Sequence, residues 1–138
     1  ENMNEIAQDK SFYGLMASLE IIHHMIENKN YNESFNEYLN LLNNKNIDNI
    51  YKTLLAIHAS YYLLNKIDSK NIINLLSYVD MSLESFVGYR LEILYLLSIT
   101  QGNINKANSL YDEIINNNQI SLSIKERVKK INGFEKYK

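Results

Sequence analysis

The chain has 138 residues and a formal net charge of -2, and it contains neither cysteine nor proline. This is the length of one typical domain that buries a core of its own. The missing cysteine excludes disulfides, Cys-ligated zinc and a thiol nucleophile. The balance of 14 basic against 16 acidic residues provides no basic surface for nucleic acid or anionic lipid.

The composition and the first residues carry information about origin. Abundant Asn, Ile, Lys and Tyr, with Arg only at Arg90 and Arg127, indicate an AT-rich genome. No apolar run reaches the ~20 residues needed to cross a bilayer. Because the chain opens with Glu1-Asn2-Met3 and not with an initiator Met, we expect that an upstream segment has been removed, which could include a signal or an anchor.

Apolar residues recur at intervals of three and four along nearly the whole chain, which is the helical period. This pattern predicts an all-α fold of about seven helices. The predicted ranges are Gln8–Asn28, Tyr31–Asn43, Asp48–Lys66, Ser69–Val79, Leu83–Gln101, Ile104–Asn117 and Ser121–Asn132.

Short polar residues separate these segments and supply helix caps. Gly102 suits a left-handed helix stop. The residues predicted to cap helix N-termini with a side-chain oxygen are Asp48, Ser69, Ser82, Asn103 and Ser121. Connections of a few residues make consecutive helices run back on each other as hairpins, predicted at about 8–43, 48–79 and 83–117, with a capping helix at 121–132. We expect one domain over 1–138.

The hairpins repeat in sequence. The stretch from Lys29 to Tyr38 aligns without a gap with the stretch from Gly102 to Tyr111, matching turn, apolar residue, small residue and aromatic residue 73 positions apart. A middle copy lies at Asn65-Lys-Ile67-Asp-Ser-Lys-Asn, half-way between them and close to a ~34-residue period.

In this repeat the chain resembles the tetratricopeptide repeat (TPR) family. The third copy carries the resemblance most clearly, with Leu91, Leu94, Gly102, Ala107 and Tyr111 at family positions, and Ser34 is the small residue of the first copy. Departures are Tyr95, Ser98 and Gln119, and also Lys70, which stands at the small position of the second copy unless the register slips by one. The resemblance implies a short right-handed solenoid.

A narrower resemblance covers about the last 50 residues. Arg90-Leu-Glu92, Gly102-Asn-Ile-Asn-Lys-Ala107 and Ser123-Ile-Lys-Glu-Arg127 look like the end of bacterial membrane-anchored TPR proteins related to the ancillary subunit of the Sec translocon. This resemblance implies an inner-membrane protein whose repeats lie in the periplasm, from an alphaproteobacterium such as a rickettsia. A cytoplasmic location is the alternative.

Residue patterns for catalysis are missing, with no His-Glu-x-x-His and no Gly-rich phosphate loop, so we expect neither enzymatic activity nor a cofactor. Glu20 with His24, and His23 with Glu27, have a spacing of four that could bind zinc. Adjacent His residues point about 100° apart on a helix, however, so we expect a surface or groove-edge role and no metal. We expect His58 to be a hydrogen-bonded packing residue.

In TPR arrays the first helix of each hairpin lines a concave groove, and the resemblance maps a mostly apolar surface onto this chain. The predicted partner-binding residues are Met16, Leu19, His23, Ile26, Lys52, Leu55, Tyr62, Tyr89, Glu92, Leu96 and Ile99, with Ala59 beside them. An apolar groove suits a helix or an extended hydrophobic segment of a protein partner. The alternative is that the N-terminal helix or a second subunit covers it.

Two further expectations concern the last helices. Arg90 and Arg127 are each expected to bond a carboxylate or helix end in a neighbouring hairpin, with contact to a partner as the alternative. The apolar stripe Leu122, Ile124, Val128 and Ile131 is expected to cap the final hairpin, followed by a frayed tail from Glu135 to Lys138.

The function that these patterns favour is a protein-interaction module, with translocon subunits or exported proteins as partners implied by the resemblance. A self-associating scaffold with the groove buried in a homo-oligomer is the alternative. Neither interpretation involves nucleic acid, and a membrane is involved only through the expected upstream segment.

Overall fold

The computed structural model of the protein describes residues 12–135, with side chains from residue 15 onward. All elements in this range are α-helices, which confirms the predicted all-α fold. The seven helices are α1 Phe12–Glu27, α2 Tyr31–Leu42, α3 Asn49–Leu63, α4 Ser69–Leu76, α5 Glu84–Thr100, α6 Ile104–Asn116 and α7 Leu122–Glu135. The predicted helix start at Gln8 and the predicted fraying over 136–138 lie outside the described residues.

Three helices end three residues away from the predicted position, and the other four end within one residue of it. Helix α3 ends at Leu63 and not at Lys66, because Asn65 has a left-handed φ of 67°. Helix α4 ends at Leu76 and not at Val79, since the Ser77 amide donates to the carbonyls of the preceding turn and tightens it. Helix α7 continues through Gly133 to Glu135.

Left-handed residues mark the turn of every predicted hairpin. Lys29, Asn65 and Gly102 have φ values of 62°, 67° and 71°. Each lies two positions before the aligned apolar residue, Tyr31, Ile67 or Ile104. Because the same backbone conformation recurs at aligned positions, the structure agrees with the internal alignment of the three turns.

The second hairpin nevertheless departs from the other two in register. Tyr31 and Ile104 are the first residues of α2 and α6, whereas α4 begins at Ser69, two residues after Ile67. The position equivalent to Ser34 and Ala107 is therefore the buried Ile72 and not the exposed Lys70. The register slips by two residues, and a large side chain occupies the place of a small one.

The predicted helix cap is confirmed at Asn103, whose side-chain oxygen accepts a hydrogen bond from the Lys106 amide. Two others are wrong. Asp68 and not Ser69 caps α4, accepting from the Lys70 amide, because a carboxylate reaches that amide from one residue earlier. At α5 the N-cap is Leu83, and Ser82 instead bonds to the Asp80 carboxylate.

The other two predicted caps, Asp48 and Ser121, lie at the expected helix starts, but their side chains form a weak capping hydrogen bond or none. Asp48 occupies the N-cap position of α3 without a side-chain cap bond. Ser121 precedes α7, and its Oγ lies 3.5 Å from the Ile124 amide nitrogen, a long contact for a hydrogen bond.

The chain divides into two compact units, Glu1–Tyr78 and Val79–Lys138. In the first, α1 packs on α2, α2 on α3, and α3 on α4. Ser34 is fully buried, and its Oγ donates to the Asn30 carbonyl at 2.8 Å, as expected of a small residue at a helix contact. The larger buried side chains of this unit include Ile22, Tyr38, Leu42, Leu63, Ile72 and Leu75.

In the second unit α5, α6 and α7 pack on one another. Their core consists of Leu91, Tyr95, Ala107, Leu110, Ile114, Ile120, Ile124 and Val128. Ile124 and Val128 confirm the predicted inward stripe of the last helix and Ile131 packs against it, but Leu122 is 75% exposed because it begins the helix away from the core. A right-handed solenoid across both units stays a prediction.

Candidate functional site

A groove of about 310 Å³ lies in the first unit between α1 and α3. It is lined by Met16, Leu19, Glu20, His23, Ile26, Tyr38, His58 and Tyr62. Five of these were predicted as partner-binding residues from the sequence, namely Met16, Leu19, His23, Ile26 and Tyr62. The structure therefore brings together five of the seven partner-binding residues predicted in the first unit, with Glu20, Tyr38 and His58 added.

Helical spacing explains how α1 supplies one wall. Met16, Leu19, His23 and Ile26 follow at intervals of three and four and thus share one face. The opposite face carries the buried Ala17, Ser18 and Ile22 into the core. Met16 is 50% exposed and His23 is also exposed, whereas Leu19 and Ile26 are partly buried.

An aromatic and imidazole cluster forms the other wall. Tyr62 is 43% exposed, and its ring meets the His58 ring edge-on at a centroid distance of 4.5 Å. The His23 ring of α1 lies 6.4 Å from the same Tyr62 ring, also edge-on. Tyr62 thus joins α1 to α3 across the groove, with geometry favourable for aromatic pairs.

The base of the groove is uncharged at neutral pH. Tyr38 is 2% exposed, and burial, together with the nearby Tyr62, raises the pKa of its phenol to about 12. Burial, and then the proximity of His23, lower the pKa of His58 below its ordinary 6.5. Beside the exposed Glu20 carboxylate, the site therefore offers rings, alkyl groups and polar edges, which suit a protein segment with apolar anchors.

Three residues of α3 that were predicted in or beside the groove do not line it, namely Lys52, Leu55 and the fully buried Ala59. Leu55 is 5% exposed and packs into the core, so a partner cannot reach it and the prediction is wrong for it. Lys52 is half-buried and lies outside the lining. His58 was expected as a packing residue, but it is exposed at the groove. The residues that flank His58 in the sequence are mostly apolar, which suggested a buried position, but the side chain of His58 faces outward.

Of the two predicted pairs of α1, the structure contains Glu20 with His24 but not His23 with Glu27. His24 lies near both glutamates, with Nε2 3.9 Å from Glu20 Oε1 and Nδ1 3.6 Å from Glu27 Oε1. His23 points to Tyr62 and not to Glu27. Among the described side chains, no three His, Asp or Glu residues lie together as a metal site requires.

In the second unit the predicted residue Glu92 is not a groove residue. Its side chain is 3% exposed and forms an ion pair with Arg127, whose Nη2 lies 2.8 Å from Glu92 Oε1. The expectation for Arg127 is thereby confirmed, while Glu92 has a structural role. Arg90 is half-buried and forms no ion pair with the residues that the structure describes.

The other predicted residues of this unit are Tyr89, Leu96 and Ile99, which are partly buried and pack against its core. Ile99 also lines a cavity of about 400 Å³ with Tyr95, Ser98, Gly102, Ile104, Ala107, Asn108, Asn132 and Glu135. In it the Tyr95 hydroxyl donates to Asn132 Oδ1 over 3.4 Å. Burial, then Glu135 and Tyr111, raise the pKa of Tyr95 to about 12.

None of the helices between residues 12 and 135 combines the length and apolar character of a membrane span. In comparisons with family models, curated proteins and solved structures, nothing matched the chain.

Proposed function

We propose that this protein is a protein-interaction module that holds a helix or hydrophobic segment of a partner in the α1–α3 groove. The observation that carries the proposal is the convergence of Met16, Leu19, His23, Ile26 and Tyr62 on one accessible groove. These residues come from two helices and share no catalytic chemistry, but they share a surface suited to apolar anchors.

The contacts of Tyr62 indicate that this residue would contribute a large part of the affinity for the partner. Its ring contacts His58 and His23 at its edges while 43% of the residue remains exposed. A tyrosine held in place by neighbouring rings loses little conformational freedom on binding. Tyrosines in such positions are frequent hot spots of protein interfaces.

We further propose the setting that the family resemblance implies, which is the periplasmic part of a membrane-anchored TPR protein assisting translocated or envelope proteins. Glu92 and Arg127, which belong to two separate stretches of that resemblance, contact each other in the structure. This contact supports the proposal because it explains why both stretches would be needed together: each provides one partner of the same ion pair. Translocon subunits and exported chains are the proposed partners.

Site-specific photo-crosslinking tests the proposal. A photoreactive phenylalanine analogue replaces Tyr62 in the full-length protein in cells, and crosslinked products are identified by mass spectrometry. The matched control places it at Ile73 of α4, which is 47% exposed and does not line the groove. We expect one defined partner at Tyr62 and none at Ile73.

The alternative function has its own signature in the same experiment. A homo-oligomeric scaffold would crosslink to itself at Tyr62, with an apparent mass that rises with protein concentration. Identical products at Tyr62 and Ile73, or no product at either, would contradict a role for the groove.

A further inference from the structure

The α1 wall of the groove carries acidic side chains and no Lys or Arg. Helix α1 contains Glu20 and Glu27 as its charged residues apart from two histidines. Glu20 lines the groove, and both carboxylates are well exposed, at 60% and 61%. They lie seven residues apart, so they project from the same side of the helix about 10 Å from each other.

These two carboxylates border the apolar strip of the wall. On the helical wheel Glu20 and Glu27 lie just beside Met16 and His23, at the outer edge of the arc that faces the groove. The nearest ring nitrogens of His24 are 3.9 and 3.6 Å away, longer than a hydrogen bond. Both carboxylates can therefore accept strong hydrogen bonds from a cation brought by a partner.

The opposite wall supplies no competing charge. Lys52 is the single charged residue in the sequence of α3, and it is not part of the groove lining. His58 and Tyr62 provide ring edges there. Among the described residues that line the groove, Glu20 is the one carboxylate, and no Lys or Arg accompanies it.

From this arrangement, and resting on the proposed function, we propose that the occupant of the groove is a basic amphipathic helix of a protein partner. Its apolar stripe lies along Met16, Leu19, His23 and Ile26, a strip about 15 Å long that accommodates about three helical turns. Lys or Arg residues placed seven apart beside that stripe pair with Glu20 and Glu27. Charge complementarity of this kind selects partners and speeds association.

Three labelled 18-residue peptides test the proposal by fluorescence anisotropy with the full-length protein. They share one Leu- and Phe-containing stripe and differ at two flanking positions seven apart, which are Lys, Gln or Glu. In low salt we expect the Lys peptide to bind about tenfold more tightly than the Glu peptide, with the Gln peptide between them. High salt should shrink this ratio.

A matched pair of variants assigns the preference to these carboxylates. Glu20→Gln with Glu27→Gln should abolish the preference for Lys, so that the Lys and Gln peptides bind this variant equally. Glu33→Gln with Glu37→Gln on α2, the same change of charge outside the groove lining, should preserve it.

Equal binding of all three peptides, or a Lys preference that survives the α1 double variant, overturns the proposal. Absence of binding by every peptide overturns it too. The proposed function stands apart from these outcomes, since a partner captured at Tyr62 and not at Ile73 supports the groove whatever the charge of that partner.

Discussion

Arg127 of α7 donates two parallel hydrogen bonds to the buried carboxylate of Glu92 in α5, from Nε to Oε2 and from Nη2 to Oε1, each 2.8 Å long. Glu92 is almost inaccessible, whereas 48% of the Arg127 side chain reaches solvent. A bidentate pair of this kind fixes direction as well as distance. It therefore sets how the last helix lies on α5.

Removing the guanidinium should destabilise the second unit. Arg127→Ala leaves Glu92 buried without its bidentate partner, and we expect a loss of about 2–4 kcal/mol in the free energy of unfolding. Arg127→Lys should lose less stability, because lysine retains the positive charge but lacks the planar guanidinium that donates two parallel hydrogen bonds. Urea denaturation followed by circular dichroism measures both changes.

The double variant Glu92→Leu with Arg127→Met controls for the buried charge. It should recover most of the stability lost in Arg127→Ala, since neither charge remains. A loss below ~0.5 kcal/mol for Arg127→Ala, in the range of an ordinary surface pair, would show that the ion pair does not hold the unit together.

Gly88 lies where α5 meets the chain leading into α7. A Cβ at this position would be 3.1 Å from Ile120 Cγ2 and 3.1 Å from Ile124 Cδ1, both on buried side chains. Overpacking of ~1–3 kcal/mol should outweigh the gain in helix propensity of ~1 kcal/mol, so we expect Gly88→Ala to destabilise by about 1 kcal/mol.

Gly133→Ala is the matched control for Gly88→Ala. Gly133 also lies in a helix, but its added Cβ would meet nothing within 4 Å. We expect it to stabilise by ~0.5–1 kcal/mol in the same denaturation measurement. Equal effects of the two substitutions would refute the close approach at Gly88.

Lys29 has a left-handed backbone at a position where Gly102 stands in the third turn. Lys29→Gly relieves the steric conflict of a Cβ in that conformation and should stabilise the protein by roughly 0.5–1 kcal/mol. Lys45→Gly, in a connection without a positive φ, should give no gain. Thermal unfolding of the two variants side by side distinguishes them, and a similar shift in both would contradict the assignment.

The lowered pKa of His58 predicts acid sensitivity. As pH falls below 6.5, the unfolded chain takes up a proton that the folded chain binds only at lower pH, so stability decreases until the folded pKa is passed. His58→Gln should lose less stability than the wild type between pH 7.5 and 5.5. Urea titrations at each pH measure this, and parallel pH profiles would contradict the prediction.

The helical period in the sequence predicts the seven helices, and Gly102 predicts one of the three left-handed turns. Lys29 and Asn65 adopt the same conformation at the aligned positions, which their residue types do not predict. Which part of a helix face is covered does not follow from periodicity. Leu55 and Tyr62 lie seven residues apart on the same side of α3, yet one is buried and the other exposed, because neighbouring helices cover only part of that side.

The sequence also did not predict which residues contact each other between helices. Arg127 was expected to bond a carboxylate or a helix end, but Glu92 lies 35 residues away and was assigned to the groove by the family resemblance. His58 was assigned to packing because apolar residues flank it. For Glu92 the deciding contact comes from another helix, which local patterns do not encode. His58 contacts Tyr62 of its own helix and stays exposed at the groove.

The most direct measurement of the central claim compares two tyrosines of α3 in binding to the partner captured at the groove. Tyr51 and Tyr62 are each 43% exposed, but only Tyr62 lines the groove. We expect Tyr62→Ala to weaken binding about tenfold or more and Tyr51→Ala to change it less than about twofold. Equal weakening, or no change in either variant, would contradict the groove as the binding site.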